Sequence, residues 1–291
     1  MRVEVRPTAA DQRELLAGVV RARGICRLGL EAAWVSWAEQ RAWAGVFDRT
    51  ELVPTTGLVE GLRRTKDAGE VARIEAACGI ADAALAVVLP ALADGPPERE
   101  VALALEVEMR RRGASGPAFE TIVASGANAA RPHHRAGTDR VGRGVPVVID
   151  FGAIVDGYCS DMTRTVCVGE PASEVIVRMR EVVAAAQAAG VAAVRAGVAA
   201  REVDAACRQV IEEAGWGDAF VHGTGHGVGL VIHEDPRVAR SSDATLAPGD
   251  VVTVEPGVYL PDHGGVRIED TVVVTAEGCR RLTNAPKDFV L

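Results

Sequence analysis

Apolar residues recur at alternating three- and four-residue steps from Val71 through Ile74, Cys78, Ala81 and Leu85 to Val88, which predicts an amphipathic helix. It starts near Thr65-Lys66-Asp67 and is closed by Pro90 and Gly95. Pro96-Pro97-Glu98 opens a second helix with Val101, Leu105 and Met109 on one face, and Gly113 stops it after Arg110, Arg111 and Arg112, which complement the negative end of the helix dipole. The pattern then changes to strands over 119–124, 145–151 and 158–168, with Asp156-Gly157 as a hairpin turn. The same order follows again: helices over 173–195 and 200–214, then glycine-rich strands over 220–232, 251–255 and 265–275. Two helices then strands, twice, predict an α+β domain over 63–291 with pseudo-symmetric halves, although no repeat is legible in residue identities. Residues 1–62 read as a short helix, a Gly-bounded strand and another helix, with Trp34, Trp37 and Trp43 either in that segment's core, the favoured reading, or an exposed anchor for a partner.

Composition narrows the function classes. The 291 residues are 48% hydrophobic and carry a net charge of −8, so the chain offers no broad basic surface for nucleic acid or an anionic membrane. The longest nearly apolar run, Val182 to Val194, is too short to span a bilayer, and Glu4, Asp11 and Glu14 interrupt any signal-peptide core, so a cytoplasmic protein is expected. Six scattered cysteines without a CxxC pair read as buried free thiols. All six histidines fall after residue 132, mostly beside glycines, which is where chemistry is expected.

Four acids end or flank apolar strands. Asp150 closes Val147-Val148-Ile149-Asp150, and Asp161 follows eleven residues later. A two-residue turn at Asp156-Gly157 pairs Asp161 with Gly152 and sets Asp150 diagonally beside Asp161 on one sheet face. Glu255 ends Val251-Val252-Thr253-Val254, and Glu269 follows Val266-Arg267-Ile268, so the two glutamates can face each other across a hairpin, with Arg267 on the face of Glu269. A histidine completes the set from His222-Gly223-Thr224-Gly225-His226-Gly227-Val228-Gly229 and the nearby His233. That glycine-rich stretch is a poor phosphate loop, since it lacks the Lys-Ser/Thr ending and the strand-to-helix setting. Four carboxylates balance two divalent cations, with one neutral imidazole as the remaining ligand. Oxygen-rich ligands without thiolate suit manganese, iron(II) or cobalt at least as well as zinc, and such an ion pair presents hydroxide to a carbonyl.

Asp150-Phe151-Gly152, Ser160-Asp161-Met162-Thr163-Arg164-Thr165, HGTGHG, Glu255-Pro256-Gly257 and Arg267-Ile268-Glu269-Asp270 together resemble the Xaa-Pro dipeptidases (prolidases). More broadly they resemble the pita-bread metallopeptidases, which include aminopeptidase P and methionine aminopeptidase and share their fold with creatinase. The resemblance implies a pita-bread fold and two metal ions, Mn²⁺ foremost with Co²⁺, Fe²⁺ or Zn²⁺ compatible, held by Asp150, Asp161, His226, Glu255 and Glu269. It implies catalytic roles for His133, His233 and Glu255, and substrate contacts for His222 and Arg267. His134 and His263 match no role and are expected as exposed loop histidines.

The implied reaction is hydrolysis of the Xaa-Pro bond of dipeptides or short peptides by a metal-bridging hydroxide. Aminopeptidase P and methionine aminopeptidase activity are the enzymatic alternatives. A metal-free creatinase-like amidinohydrolase or a non-catalytic peptide-binding module would be expected to lack this full ligand set. The resemblance also implies a longer N-terminal domain than residues 1–62 provide, hence a homodimer weakened or altered and looser discrimination of peptide length.

Overall fold

The computed structural model describes residues 8–291. They fall into two compact units, one ending at Val59 and the other spanning Glu60–Leu291. In the first unit, α1 (Ala9–Ala22) is capped by the Thr8 side chain, and α2 (Trp37–Val46) starts at a reciprocal Ser36–Glu39 capping box. Between and after them, Arg27–Glu31 pairs in parallel with Glu51–Thr55, a strand that Pro54 hides from the sequence pattern. Ala17, Val20 and Phe47 form the core, edged by Leu28, Trp43, Val46 and Leu52.

The favoured core reading of the three tryptophans holds for Trp43 and not for Trp34 or Trp37. Trp43 stacks on Phe47 with ring centroids 5.4 Å apart, whereas Trp34 and Trp37 are 67% and 76% exposed. Trp43 and Phe47 are four residues apart and share a helix face, while Trp37, six residues before Trp43, is turned roughly 240° around the axis.

The division between the units falls inside α3 (Leu58–Arg64). In the second unit α4 (Ala68–Val88) begins at the Asp67–Glu70 capping box, where the pattern predicts it. By length and composition alone Ala68–Asp94 could cross a membrane. Its Ile74, Ala77, Cys78, Ala81, Ala84, Leu85 and Val88 are instead buried within the unit's own cores. Next, α5 (Glu98–Arg111) lays Leu105 and Met109 against Val147, Ile149, Phe151, Met162 and Val166. Those residues belong to an antiparallel sheet in which Pro146–Phe151 lies between Ile122–Ser125 and Met162–Cys167.

The second half repeats the scheme with α6 (Glu174–Ala193) and α7 (Ala200–Glu213). A Cβ on Gly190 would overlap the Cys207 sulfur, so glycine lets these two helices approach closely. They cover Val252, Val254, Val258, Val266, Val272 and Val274. The sheet order is Glu234–Val238, Gly225–Gly227, Val251–Val254, Asp270–Val274, Cys279–Arg281, with a separate ribbon of Gly257–Leu260 and Gly264–Arg267.

Three predicted strands are shorter than expected. Over 220–232 only Gly225–Gly227 joins a sheet, and the partner strand is Glu234–Val238. The predicted strand over 158–168 breaks at Ser160-Asp161, and the one over 265–275 breaks at Ile268-Glu269. Both breaks fall on acids singled out above, because the backbone there bonds to other segments. Glu269 N donates to Thr163 O, and Thr271 Oγ1 donates to Asp161 O.

Candidate active site

The register of the first half runs Asp150 to Thr163, Phe151 to Met162, then Ile154 to Cys159 across the turn. Gly152 therefore stands opposite Asp161, and a Cβ there would overlap the Ser160 carbonyl. Asp150 and Asp161 thus lie diagonal to each other on one face, as the turn predicts.

In the second half Val254 pairs with Asp270 and Gly257 with Arg267, so Glu255 and Glu269 are opposite one another between two stretches of ladder. The ladder opens at that pair. Glu255 N donates to Thr224 O at 2.8 Å, and Glu269 N donates to Thr163 O at 3.1 Å. One bond ties Glu255 to the loop of His226, and the other ties Glu269 to the strand after Asp161.

His226 joins the acids through Thr253, whose Oγ1 accepts from His226 N at 3.0 Å and donates to Glu255 Oε1 at 3.0 Å. Its Nδ1 donates to Gly227 O at 3.0 Å, and its Nε2 faces Asp161 Oδ2 at 3.4 Å and Glu255 Oε1 at 3.3 Å. Asp161, His226 and Glu269 each offer a ligand atom, all within 4.8 Å of one another. Asp150 Oδ1 and Glu269 Oε1 are buried without a hydrogen-bond partner, while their other oxygens accept from Arg267 Nη2 and Thr163 Oγ1 at 2.6 and 2.7 Å. These orphaned oxygens and the hard donor set fit divalent cations.

The electrostatics agree. Burial, then the charges of Asp150 and Glu255, holds Asp161 well above the usual carboxylate range. Burial, then Asp161, Glu255 and Asp150, does the same to Glu269. Asp150 is also raised by burial, against the pull of Arg267. Burial pushes the neighbouring Cys159 thiol up to about 11.

Residues 72–276 match the family model described as metallopeptidase family M24. The chain belongs to metallopeptidase family M24. It is 45% identical to the Xaa-Pro dipeptidase of Pyrococcus furiosus over 80% of this chain and 67% of that protein. Among solved structures, the Xaa-Pro dipeptidase from Bacillus anthracis superposes with a TM-score of 0.94 at 44% identity, covering 96% of this chain and 78% of that one. The X-Pro aminopeptidase from Thermotoga maritima superposes with a TM-score of 0.92 at 38% identity, covering 99% and 81%. The fold is the α+β pita-bread fold of the M24 peptidases, and membership of this family implies divalent metals.

Around the acids this M24 peptidase arranges a second ring of contacts that sequence spacing did not reveal. Arg267 Nη1 donates to Tyr259 Oη at 2.8 Å, Tyr259 Oη donates to His222 Nε2 at 2.8 Å, and His222 Nδ1 donates to Gly223 O at 2.8 Å. Both nitrogens of His222 are therefore engaged within the protein, and a substrate contact through either must displace one of these bonds. Burial keeps His222 below the usual histidine range and pushes Tyr259 up to about 12. For Arg267, burial works against the charge, but Tyr259, Asp150 and Glu255 outweigh it and hold the guanidinium protonated.

Two further buried ion pairs hold histidine loops. Asp204 and Arg208, one turn apart on α7, grip the His222 segment: Asp204 Oδ1 accepts from Thr224 N and Oγ1, and Arg208 donates to Phe220 O and His222 O. Arg63 and Lys66 hold Glu234, next to His233, at 2.6 and 2.7 Å. The His233 ring meets that of His226 edge-on at 4.2 Å between centroids, and burial followed by His226 lowers its pKa.

His133 lies on an exposed loop, where the preceding Pro132 O accepts from Arg267 Nη1 at 3.4 Å. A positive charge on His133 would lower the pKa of both His222 and His233. His134 is not the exposed loop histidine expected, because its Nε2 bonds to the buried Glu98 at 2.7 Å. His263 is half-buried in the turn of the Gly257–Leu260 ribbon. Only the i,i+4 spacing of Asp204 and Arg208 was a usable signal for any of these contacts.

Proposed function

We propose that this M24 peptidase is an Xaa-Pro dipeptidase that holds two divalent ions, manganese by preference, between Asp150, Asp161, His226, Glu255 and Glu269. The observation that carries the reading is the convergence of the Asp161, His226 and Glu269 ligand atoms within 4.8 Å of one another, with Glu269 and Asp150 oxygens buried there without a hydrogen-bond partner. When bound, such a pair of cations polarises a carbonyl and lowers the pKa of water it binds.

The chain's own residues then do the rest. Glu255 Oε1 is fixed by Thr253 and can accept a proton and hand it to the leaving nitrogen. The X-Pro amide has no N–H to hold in place, so selectivity rests on shape and on charges at the substrate's ends. Arg267, permanently charged, suits a terminal carboxylate or a backbone carbonyl. The neutral His233 can donate to oxygen charge that develops at the carbonyl, and His133 stands near enough to share that work.

Cleavage of Xaa-Pro-peptides is the second reading, favoured by the likeness to the Thermotoga maritima X-Pro aminopeptidase. A panel of Ala-Pro, Ala-Pro-Ala, Met-Ala-Ser and creatine with Mn²⁺ tests both. Ala-Pro is expected to be cleaved fastest. Preference for Ala-Pro-Ala would shift the assignment to aminopeptidase P, release of methionine would shift it to methionine aminopeptidase, and metal-independent turnover of creatine would overturn the metallopeptidase mechanism.

A further inference from the structure

The loop bearing His133 is tied at both ends to one buried carboxylate. Glu98, the first residue of α5, is fully buried. A glutamate in that position ordinarily serves its own helix amides, yet this one turns to the loop. Its Oε1 accepts from Ser125 N at 2.8 Å and Asn128 Nδ2 at 3.0 Å, ahead of His133. Its Oε2 accepts from His134 Nε2 at 2.7 Å and Gly137 N at 3.2 Å, just after it. Backbone bonds add to the closure: Glu98 N donates to Asp139 O and Arg99 N to Gly137 O. The His134 side chain is only 10% exposed, whereas its neighbour His133 is exposed.

Four donors converging on one buried acceptor define the path of the loop on either side of His133. Among the described residues, His134 is the only side chain that ties the outgoing arm to Glu98. We propose that the Glu98–His134 pair is a positioning device that sets His133 against the site. The proposal rests on the reading above, in which His133 works on the substrate.

Its test is a double-mutant cycle with the metal-loaded full chain on Ala-Pro, using H133A, H134A, the double variant and H134Q, whose amide N–H can replace that of the ring. H134A is expected to lower kcat/KM about tenfold or more with metal content intact, and the double variant to fall within about threefold of H133A alone. H134Q should recover most of the loss. Wild-type kinetics in H134A, or losses that simply multiply in the double variant, would overturn the proposal.

A second readout does not need turnover. Trypsin cleavage after the exposed Arg135 of the metal-free chain should be about tenfold faster in H134A than in wild type or H134Q. If the wild type cleaves no Xaa-Pro peptide, the dipeptidase reading fails, and proteolysis decides the positioning claim: equal rates in wild type and H134A overturn it.

Discussion

Glu255 and Glu269 stand opposite each other on neighbouring strands, yet neither gives its backbone N–H to the other. Each donates instead to a segment bearing a different candidate ligand, Thr224 two residues before His226 and Thr163 two residues after Asp161. The candidate ligands of both halves are therefore held together by protein hydrogen bonds. An ion need only enter a pocket whose carboxylates already converge, and the cost of that convergence is mutual repulsion and desolvation.

Metal content should follow. The purified chain is expected to bind about two divalent ions, since two doubly charged cations balance the four carboxylates Asp150, Asp161, Glu255 and Glu269. D161A and H226A should each retain less than the wild type and lose at least about a hundredfold in turnover, beyond what outer contacts are worth. Elemental analysis after gel filtration, beside circular dichroism to show a retained fold, checks this. Two equivalents of metal with full turnover in either variant would contradict the ligand set.

The metal-free chain should lose stability as pH rises. Asp150, Asp161 and Glu269 have folded-state pKa values raised by burial above their unfolded ones, so their protonated forms favour the native state. That contribution is fully present below the unfolded value, about pH 4, and is lost as pH climbs through the folded values. Asp270 acts in the opposite sense: burial raises its pKa, but Arg164 and Lys287 outweigh it, so its contribution is lost as pH falls. Comparing the same chain with saturating Mn²⁺ and with chelator cancels Asp270. The melting temperatures should diverge from pH 5 to pH 8, reaching about 10 °C at the upper end for metal near a thousandfold above its Kd. A gap that stays constant or narrows would show that the carboxylates are not protonated in the metal-free state.

Removing Arg208 should be far worse than removing a surface charge. Asp204 is fully buried, and Arg208 meets both of its oxygens at 2.8 and 2.9 Å. R208A leaves that carboxylate without its counter-ion and frees the carbonyls of Phe220 and His222. A loss of about 3–5 kcal/mol is expected in denaturant unfolding. Exchanging the exposed Arg27, paired with Glu51 at 3.1 Å, should cost no more than about 1 kcal/mol. Equal effects would mean that the α7 pair is open to water.

Local rules were enough to locate much of this site from the chain alone. A strand points alternate side chains to one face, and a two-residue turn sets the register. The pairs Asp150/Asp161 and Glu255/Glu269 could therefore be placed from the Asp156-Gly157 turn and from the Gly-Pro loop. The capping box at Asp67–Glu70 and the apolar faces of α4 to α7 were legible for the same reason, since each is settled within one or two helical turns.

What the sequence hid are contacts between segments that no short-range pattern relates. Arg267 meets Asp150 across 117 positions and Thr163 meets Glu269 across 106, so their pairing depends on how the two halves pack. The breaks at Asp161 and Glu269 were missed because β-propensity is high on both sides, and only tertiary hydrogen bonds divert the backbone there. The family resemblance gives His133 a role and His134 none, but it does not show what His134 binds. That contact needs the folded chain, in which the carboxylate buried at the start of α5 takes His134 and leaves His133 exposed.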